Sequence, residues 1–157
     1  FNFENLQLIA NEIKKKEIDL KDKEIFMIYN QKVPFYDMIN DHVVSLINLE
    51  SLKDFESRSG LSIDHERFRP NIVIDGMKPF QELELAKKKI KIGDTLFEVF
   101  CNTPRCKATI YPYQSIISDF NLPEKLNEVY GHIDFGIYLK PISSGHINLD
   151  DTFSISE

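Results

Sequence analysis

The chain has 157 residues, of which 42% are hydrophobic and 28% charged, with 6 Gly, 7 Pro and no Trp. This composition predicts one globular domain and excludes collagen-like, disordered and coiled-coil classes, since a chain of this length buries roughly 68–70% of its unfolded surface. The formal charge of −6 argues against nucleic acid as a partner, because such partners favour basic surfaces.

No apolar run reaches the roughly 18–20 residues that a membrane-spanning helix needs, so no membrane span is expected. The opening residues lack the basic and apolar segments of a secretory signal. The two cysteines, Cys101 and Cys106, are too few for a disulfide framework, which favours a reducing, cytoplasmic location. Because the first residue is Phe1, we expect a processed form or a piece of a longer protein.

The sequence of residues 1–60 predicts two helices and two strands. Apolar residues at helical spacing predict a helix over residues 5–16, and residues 24–33 are rich in β-formers. Residues 43–47 form a short apolar run that predicts a buried strand. A second helix begins after Asn48, a good N-cap, and ends at Gly60.

The rest of the chain is predicted to be mostly β. The predicted strands cover residues 71–75, 89–92, 95–100, 107–111, 135–142 and 147–155. The strands at 89–92 and 95–100 form a hairpin around a Gly-Asp turn. The strands at 135–142 and 147–155 form a pair around Ser144 and Gly145. Pro123 and Gly131 bound a short helix. Many short strands with two or three helices predict a mainly β fold of barrel type.

Two arginines stand just before the strand predicted at 71–75. Arg67 and Arg69 can bind phosphate or carboxylate through their guanidinium groups, and Asn71 can donate to and accept from a polar heterocycle. The alternative is that both arginines form ordinary ion pairs with acidic neighbours between residues 64 and 75. The spacing alone leaves both interpretations open.

The second candidate site is a thiol between two cations. Cys106 lies between Arg105 and Lys107, whose positive potential favours the thiolate, a nucleophile and a ligand for soft metals. A small buried hydrophobic residue is the alternative. Cys101 has apolar neighbours, which favours a core position. The spacing of the two cysteines matches neither a zinc nor a thioredoxin-like motif.

Several motifs, in this order, resemble the MOSC family, which is named for the C-terminal domain of molybdenum cofactor sulfurase. They are Arg-Phe-Arg-Pro-Asn-Ile-Val-Ile-Asp-Gly from residue 67, Ile-Gly-Asp from 92, Pro-Arg-Cys from 104, Gly-His-Ile-Asp-Phe-Gly from 131 and Ser-Gly-His-Ile from 144. The segment 44–52 is similar to the family's helix-entry segment. The resemblance implies a MOSC domain over residues 34–157, with residues 1–33 as an N-terminal remnant or a flanking helix and strand.

The resemblance implies a MOSC-type β-barrel that binds molybdenum cofactor, with Cys106 as the catalytic residue and thiolate ligand to molybdenum. The implied cofactor-binding residues are Arg67, Arg69, Asn71, Arg105 and Glu82. The aromatic residue common after the position of Glu82 is absent, and Phe135 stands where relatives often carry a second cysteine. Pyridoxal phosphate binding is a further implied property.

The implied activity is that of an oxidoreductase that reduces N-hydroxylated small molecules with electrons from a partner redox protein. The alternative is a sulfur carrier, or a domain for sulfuration or delivery of the cofactor, in which Cys106 bears a persulfide. A β-barrel that has lost its cofactor is a third interpretation. His132 is either a proton relay or a cap of the preceding helix. Substrate choice is expected to lie in residues 76–88 and 112–122.

Overall fold

The computed structural model describes Asn11 and residues 41–156. The fold below is that of the unit Asp41–Glu157. Of the helix predicted over 5–16 only Asn11 is described, and it is helical. The strand predicted over 24–33 and the proposed domain boundary after residue 33 lie outside the described residues.

Six strands form one sheet in the described part of the chain. They are β1 (Val44–Asn48), β2 (Ile72–Ile74), β3 (Lys89–Ile92), β4 (Thr95–Pro104), β5 (Asp134–Pro141) and β6 (Phe153–Ser156). Their order across the sheet is β2-β1-β5-β4-β3-β6, and only β1 and β2 are parallel. The prediction of a mainly β fold is confirmed.

The sheet is curled into a half-barrel and is not a closed barrel. Its two edge strands, β2 and β6, do not pair with each other. A cavity of about 750 Å³ lies between them, lined by β2 and by residues 147–155. The predicted barrel is therefore present in part within residues 41–156.

The sheet separates two apolar cores. In β1, Leu46 packs inside the curl while Ile47 packs against the helices, because successive strand side chains point to opposite faces. In β5 the same alternation is interrupted: Phe135 lies on the helix side and Ile137 inside the curl, although they are two residues apart. Gly136 between them has a φ of 78°, and this left-handed backbone allows the strand to change faces.

Two α-helices cover the outer face, α1 (Leu49–Ser59) and α2 (Leu122–Tyr130). The Asn48 side chain accepts a hydrogen bond from the backbone N–H of Glu50 and so caps α1 as predicted. Pro123 lies in the first turn of α2. Each helix ends at the predicted glycine, which has left-handed backbone. The local signals for both helices are confirmed.

The strand predicted over 107–111 is wrong, since Lys107–Ile110 forms a 3-10 turn. The side chain and backbone N–H of Thr109 both donate to the carbonyl oxygen of Cys106. Arg67 binds the carbonyl oxygens of Thr109 and Ile110. These contacts hold the carbonyl groups that a strand would need for pairing, so tertiary structure overrides the β propensity.

The pair of strands predicted around Ser144 and Gly145 is also wrong. The strand β5 pairs with β1 and β4, whereas β6 begins only at Phe153 and pairs with β3. Residues 142–152 form a connection without a strand. The pairing of these strands depends on contacts between segments far apart in the chain, and a local turn motif does not indicate such contacts.

Candidate functional site

Cys106 lies at the end of β4, where the strand leaves the sheet. The strand β4 is longer than predicted and its pairing with β5 shifts register between Asn102 and Pro104. Thr109 donates from its backbone N–H and its hydroxyl to the carbonyl oxygen of Cys106, at 3.1 and 2.8 Å. The Cys106 side chain is exposed, which excludes the interpretation of a buried hydrophobic residue.

The second thiol has a different environment. Cys101 is half-buried within β4. Burial, and to a smaller extent the charge of Asp134, raises the pKa of the Cys101 thiol above its ordinary value. Cys101 is therefore the less reactive thiol, and it offers a matched control for Cys106.

Arg105, next to the exposed thiol, is buried and bound to backbone oxygens. Its Nε donates to the carbonyl oxygen of Phe135 at 2.8 Å, and its Nη1 donates to that of Phe68 at 3.2 Å. Burial lowers the pKa of Arg105 to about 10, an effect that the charges of Tyr138 and Cys106 partly offset. Arg105 thus links β5 to the turn that precedes β2.

Arg67 is buried in the same way. Its Nε donates to the carbonyl oxygen of Thr109 at 2.6 Å, and its Nη2 donates to that of Ile110 at 2.9 Å. Its Nη1 donates to Asp119 at 2.9 Å, and this contact with Arg67 holds the pKa of the Asp119 carboxyl below its ordinary value. The guanidinium carbon lies 4.0 Å from the ring centre of Phe120. The ion pair of Arg67 is thus formed with a residue outside the segment 64–75.

Arg69 and Asn71 are exposed at the entry to β2. Arg69 follows the 3-10 turn His65–Phe68 and has left-handed backbone, with a φ of 50°. Its guanidinium forms no ion pair with the residues that the structure describes, so it remains available for an anion. The Asn71 side-chain oxygen accepts from the backbone N–H and the hydroxyl of Ser45, at 2.9 and 3.0 Å.

Glu82 is completely buried beneath the start of α1. Ser51 donates its hydroxyl to one carboxyl oxygen at 2.6 Å, and Asn48 donates its side-chain N–H to the other at 3.2 Å. Burial raises the pKa of Glu82, and the hydrogen bonds from Ser51 and Asn48 oppose that rise. Both oxygens contact protein groups, and direct contact with a cofactor stays a prediction.

Sequence reasoning missed an aromatic cluster beside the site. The ring of Phe80 lies 4.4 Å from that of Tyr130 and 6.1 Å from that of His132, measured between ring centres. Tyr130 donates to Asp54 at 2.8 Å, and burial together with this contact raises the pKa of Tyr130. Nδ1 of His132 accepts from the backbone N–H of Asp134 at 3.2 Å. The aromatic spacing alone gives no signal for this cluster, because Phe80 is far from Tyr130 and His132 in the chain.

The two buried arginines join two turns into one unit. We call residues 65–70 the Arg69 turn and residues 105–110 the Cys106 turn. Arg105 binds the first turn through Phe68, and Arg67 reaches from the first turn to the second through Thr109. The structure thus places an exposed guanidinium and an exposed thiol on two turns that are linked by charged hydrogen bonds.

Polar atoms without partners lie next to the Cys106 turn. In the described part of the chain, Oδ1 of Asn102 and Oγ1 of Thr103 are buried and accept or donate no hydrogen bond. An unsatisfied buried polar group of this kind costs about 1–3 kcal/mol.

The described fold has cavities both near the predicted site residues and away from them. One of about 320 Å³ adjoins the Cys106 turn and is lined by Lys107, Ile110 and residues 118–121. A second, of about 710 Å³, is lined by Asn71, Ser143 and Ser144 among others. A third, of about 750 Å³ between the sheet edges, is lined by none of the predicted site residues. Size alone therefore does not locate the predicted chemistry.

Within residues 41–156, no three His, Cys, Asp or Glu side chains gather as they would around a metal ion. No helix among the described residues has the length and apolar character that crossing a membrane requires.

The fold and the site define a class: a curled β-sheet domain with an exposed thiol on an arginine-linked turn. The chain matches the MOSC domain model over residues 31–154, and it belongs to the MOSC domain family. The crystal structure of YiiM from Geobacillus stearothermophilus has the same fold, with a TM-score of 0.56 and 18% identity over 73% of this chain and 54% of that one.

The similar proteins include molybdenum cofactor sulfurases from different organisms. Molybdenum cofactor sulfurase of Drosophila mojavensis is 30% identical over 111 residues, which are 68% of this chain and 14% of the relative. The sulfurase of Oryza sativa subsp. japonica is 36% identical over 80 residues, which are 45% of this chain and 10% of the relative. The chain therefore spans about a seventh or less of the length of these relatives.

Proposed function

We propose that this domain binds molybdenum cofactor, with the Cys106 thiolate as a ligand to molybdenum. The observation that carries the proposal is the exposed Cys106 thiol on a turn fixed by two buried arginines. Thiolate is a soft ligand, and a soft metal centre is a suitable partner. Membership of the MOSC family and relatives named as molybdenum cofactor sulfurase support the same assignment.

The residues present fit such a group. Arg69, exposed and without an ion pair in the described region, is our candidate for the phosphate of the pterin. Asn71 lies two residues further on and can contact the heterocycle. Arg67 and Arg105 hold the two turns in place through hydrogen bonds to backbone oxygens. Any contact that they make with the cofactor would be additional to these hydrogen bonds.

The activity that we propose is reduction of N-hydroxylated compounds. When bound, the cofactor supplies the redox change. Cleavage of the N–O bond takes two electrons and two protons and releases water, so the proposal includes a partner redox protein as the electron donor. The chain contributes the Cys106 ligand, the Arg69 anion contact and substrate contacts from residues 76–88 and 112–122.

The names of the relatives favour a second candidate, sulfuration or delivery of the cofactor. In that case a partner protein's persulfide would transfer its outer sulfur to the Cys106 thiolate and leave as a thiolate, Cys106 would hold that sulfur for the cofactor, and no N–O compound would be reduced. The exposed thiol beside Arg105 suits this role equally well. Pyridoxal phosphate binding and a cytoplasmic location stay predictions.

The test is to measure reduction of a hydroxylamine and an amidoxime by the molybdenum-loaded protein with a chemical electron donor. We expect turnover by the wild type and by Cys101→Ser, and none by Cys106→Ser. Molybdenum bound in stoichiometric amount without turnover, together with a persulfide on Cys106 detected by mass spectrometry, would instead establish the second candidate.

A further inference from the structure

Glu82 is connected by hydrogen bonds to a strained residue of the aromatic cluster. Ser51 donates its hydroxyl to Glu82 at 2.6 Å, and the same hydroxyl accepts from the backbone N–H of Phe80 at 2.8 Å. Phe80 has left-handed backbone, with a φ of 59°. This conformation is costly for an aromatic residue, so neighbouring contacts must maintain it.

The loop around Phe80 is held at a second point by Asn48, which also donates to Glu82. Asn48 donates to Glu82 at 3.2 Å and to the carbonyl oxygens of Met77 and Lys78, at 3.1 and 3.0 Å. Glu82 thus orients Asn48 and Ser51, and these two residues fix the loop that carries Phe80.

Phe80 in turn packs on the segment that holds the Cys106 turn. Its ring lies edge-on to that of Phe135, with 5.8 Å between ring centres. The carbonyl oxygen of Phe135 binds the Arg105 guanidinium, and the carbonyl oxygen of Ile133 accepts from the Arg105 backbone N–H at 2.9 Å. A continuous series of contacts therefore joins Glu82 to the residue before Cys106.

We infer that Glu82 is a positioning residue for the Cys106 turn, acting through Ser51, Phe80 and Phe135. Glu82 is completely buried, both of its carboxyl oxygens accept from protein donors, and the contacts of those donors lead to the turn that carries the thiol. The inference rests on the proposed function for its relevance to the cofactor. Its test does not involve molybdenum, so the two proposals can fail separately.

The test is hydrogen exchange of single backbone amides by NMR in the full chain. The Arg105 amide reports the Cys106 turn, and the Val99 amide, bound to Lys88 at 2.8 Å, reports the sheet. In Ser51→Ala and Glu82→Ala we expect exchange at Arg105 to accelerate about two- to thirtyfold more than at Val99. Glu82→Gln keeps an acceptor for Ser51, and we expect it to restore most of the protection at Arg105.

Ile90→Ala, in the core inside the curl, is the control for general loss of stability. We expect it to accelerate exchange at both amides by the same factor. Equal acceleration at Arg105 and Val99 in Ser51→Ala and in Glu82→Ala would show that Glu82 has a merely structural role and would overturn the inference. A Glu82→Ala chain that does not fold leaves Ser51→Ala and Glu82→Gln to decide.

Discussion

Arg67 and Arg69 differ in what surrounds them, and their removal should therefore have different effects. Arg67 is buried and bound to Asp119, Thr109 and Ile110. Its removal leaves buried carbonyl groups without donors. Arg69 is exposed and contributes no such bond in the described region.

We therefore expect Arg67→Ala to lower the free energy of unfolding in urea by about 1.5–3 kcal/mol. Arg69→Ala should leave it unchanged within about 0.5 kcal/mol and should weaken binding of the cofactor. Unfolding curves together with the molybdenum content of each variant measure both effects. Equal destabilisation by the two substitutions would contradict the distinction between them.

Glu82 should give the protein a particular dependence of stability on pH. Burial raises the pKa of Glu82 in the folded protein above its ordinary value of 4.5. At a pH between 4.5 and this raised pKa, the folded protein therefore binds more protons than the unfolded chain. The contribution of Glu82 to stability is present below pH 4.5 and is lost as the pH rises through the raised pKa.

The measurement compares the free energy of unfolding of the wild type and Glu82→Gln from pH 4 upward. We expect the wild type to lose stability relative to Glu82→Gln as the pH rises, because glutamine does not ionise. A difference that stays constant, or that changes with the opposite sign, would show that Glu82 does not titrate in this way.

At the scale of elements, β5 depends on Gly136 for its change of face. A Cβ atom at this position would lie 2.3 Å from the carbonyl oxygen of Leu46. Gly76 has a similar φ of 83° but no neighbour within 4 Å of such an atom. The two glycines therefore separate the cost of the close approach from the cost of the backbone conformation.

We expect Gly136→Ala to destabilise the fold by at least about 2 kcal/mol, since backbone strain and overlap with β1 add. Gly76→Ala should cost about 1 kcal/mol from its backbone alone. Thermal or urea unfolding measures both variants. A similar loss of stability in the two variants would mean that β1 and β5 move apart readily at this point.

The elements that the sequence predicts correctly are those with local signals. Helix α1 has the Asn48 cap and a terminal glycine, and the hairpin of β3 and β4 has a Gly-Asp turn. The segment 107–111 was predicted as a strand because its β propensity is visible locally, whereas the Arg67 contacts that impose a 3-10 turn are not. The pairing of β6 with β3 depends likewise on a distant partner.

The candidate site likewise has features that the sequence indicates locally and features that depend on contacts between distant segments. The sequence identified Cys106 with its cationic neighbours, and the structure exposes that thiol. It did not reveal that Arg105 is buried among carbonyl groups, or that Arg67 pairs with Asp119, because both facts depend on packing between segments far apart in the chain. The roles of the five predicted cofactor-binding residues remain predictions.

At the scale of the whole domain, the predicted site residues Arg105 and Cys106 lie on a turn beyond the end of β4 and not in the cavity between the sheet edges. The cavity of about 750 Å³ lies between the sheet edges, while the exposed thiol lies beyond Pro104. Turns fixed by buried charged hydrogen bonds keep exposed groups in place without a deep pocket. The geometry therefore fits a large cofactor that rests on the surface of the domain.

The central claim is that Cys106 holds molybdenum cofactor, and elemental analysis tests it most directly. The protein, Cys106→Ser and Cys101→Ser would be purified from a host that makes the cofactor, and their molybdenum and pterin contents compared. We expect stoichiometric metal in the wild type and in Cys101→Ser, and a loss of metal in Cys106→Ser. Equal metal in all three proteins, or none in the wild type, would contradict the assignment of Cys106 as the ligand.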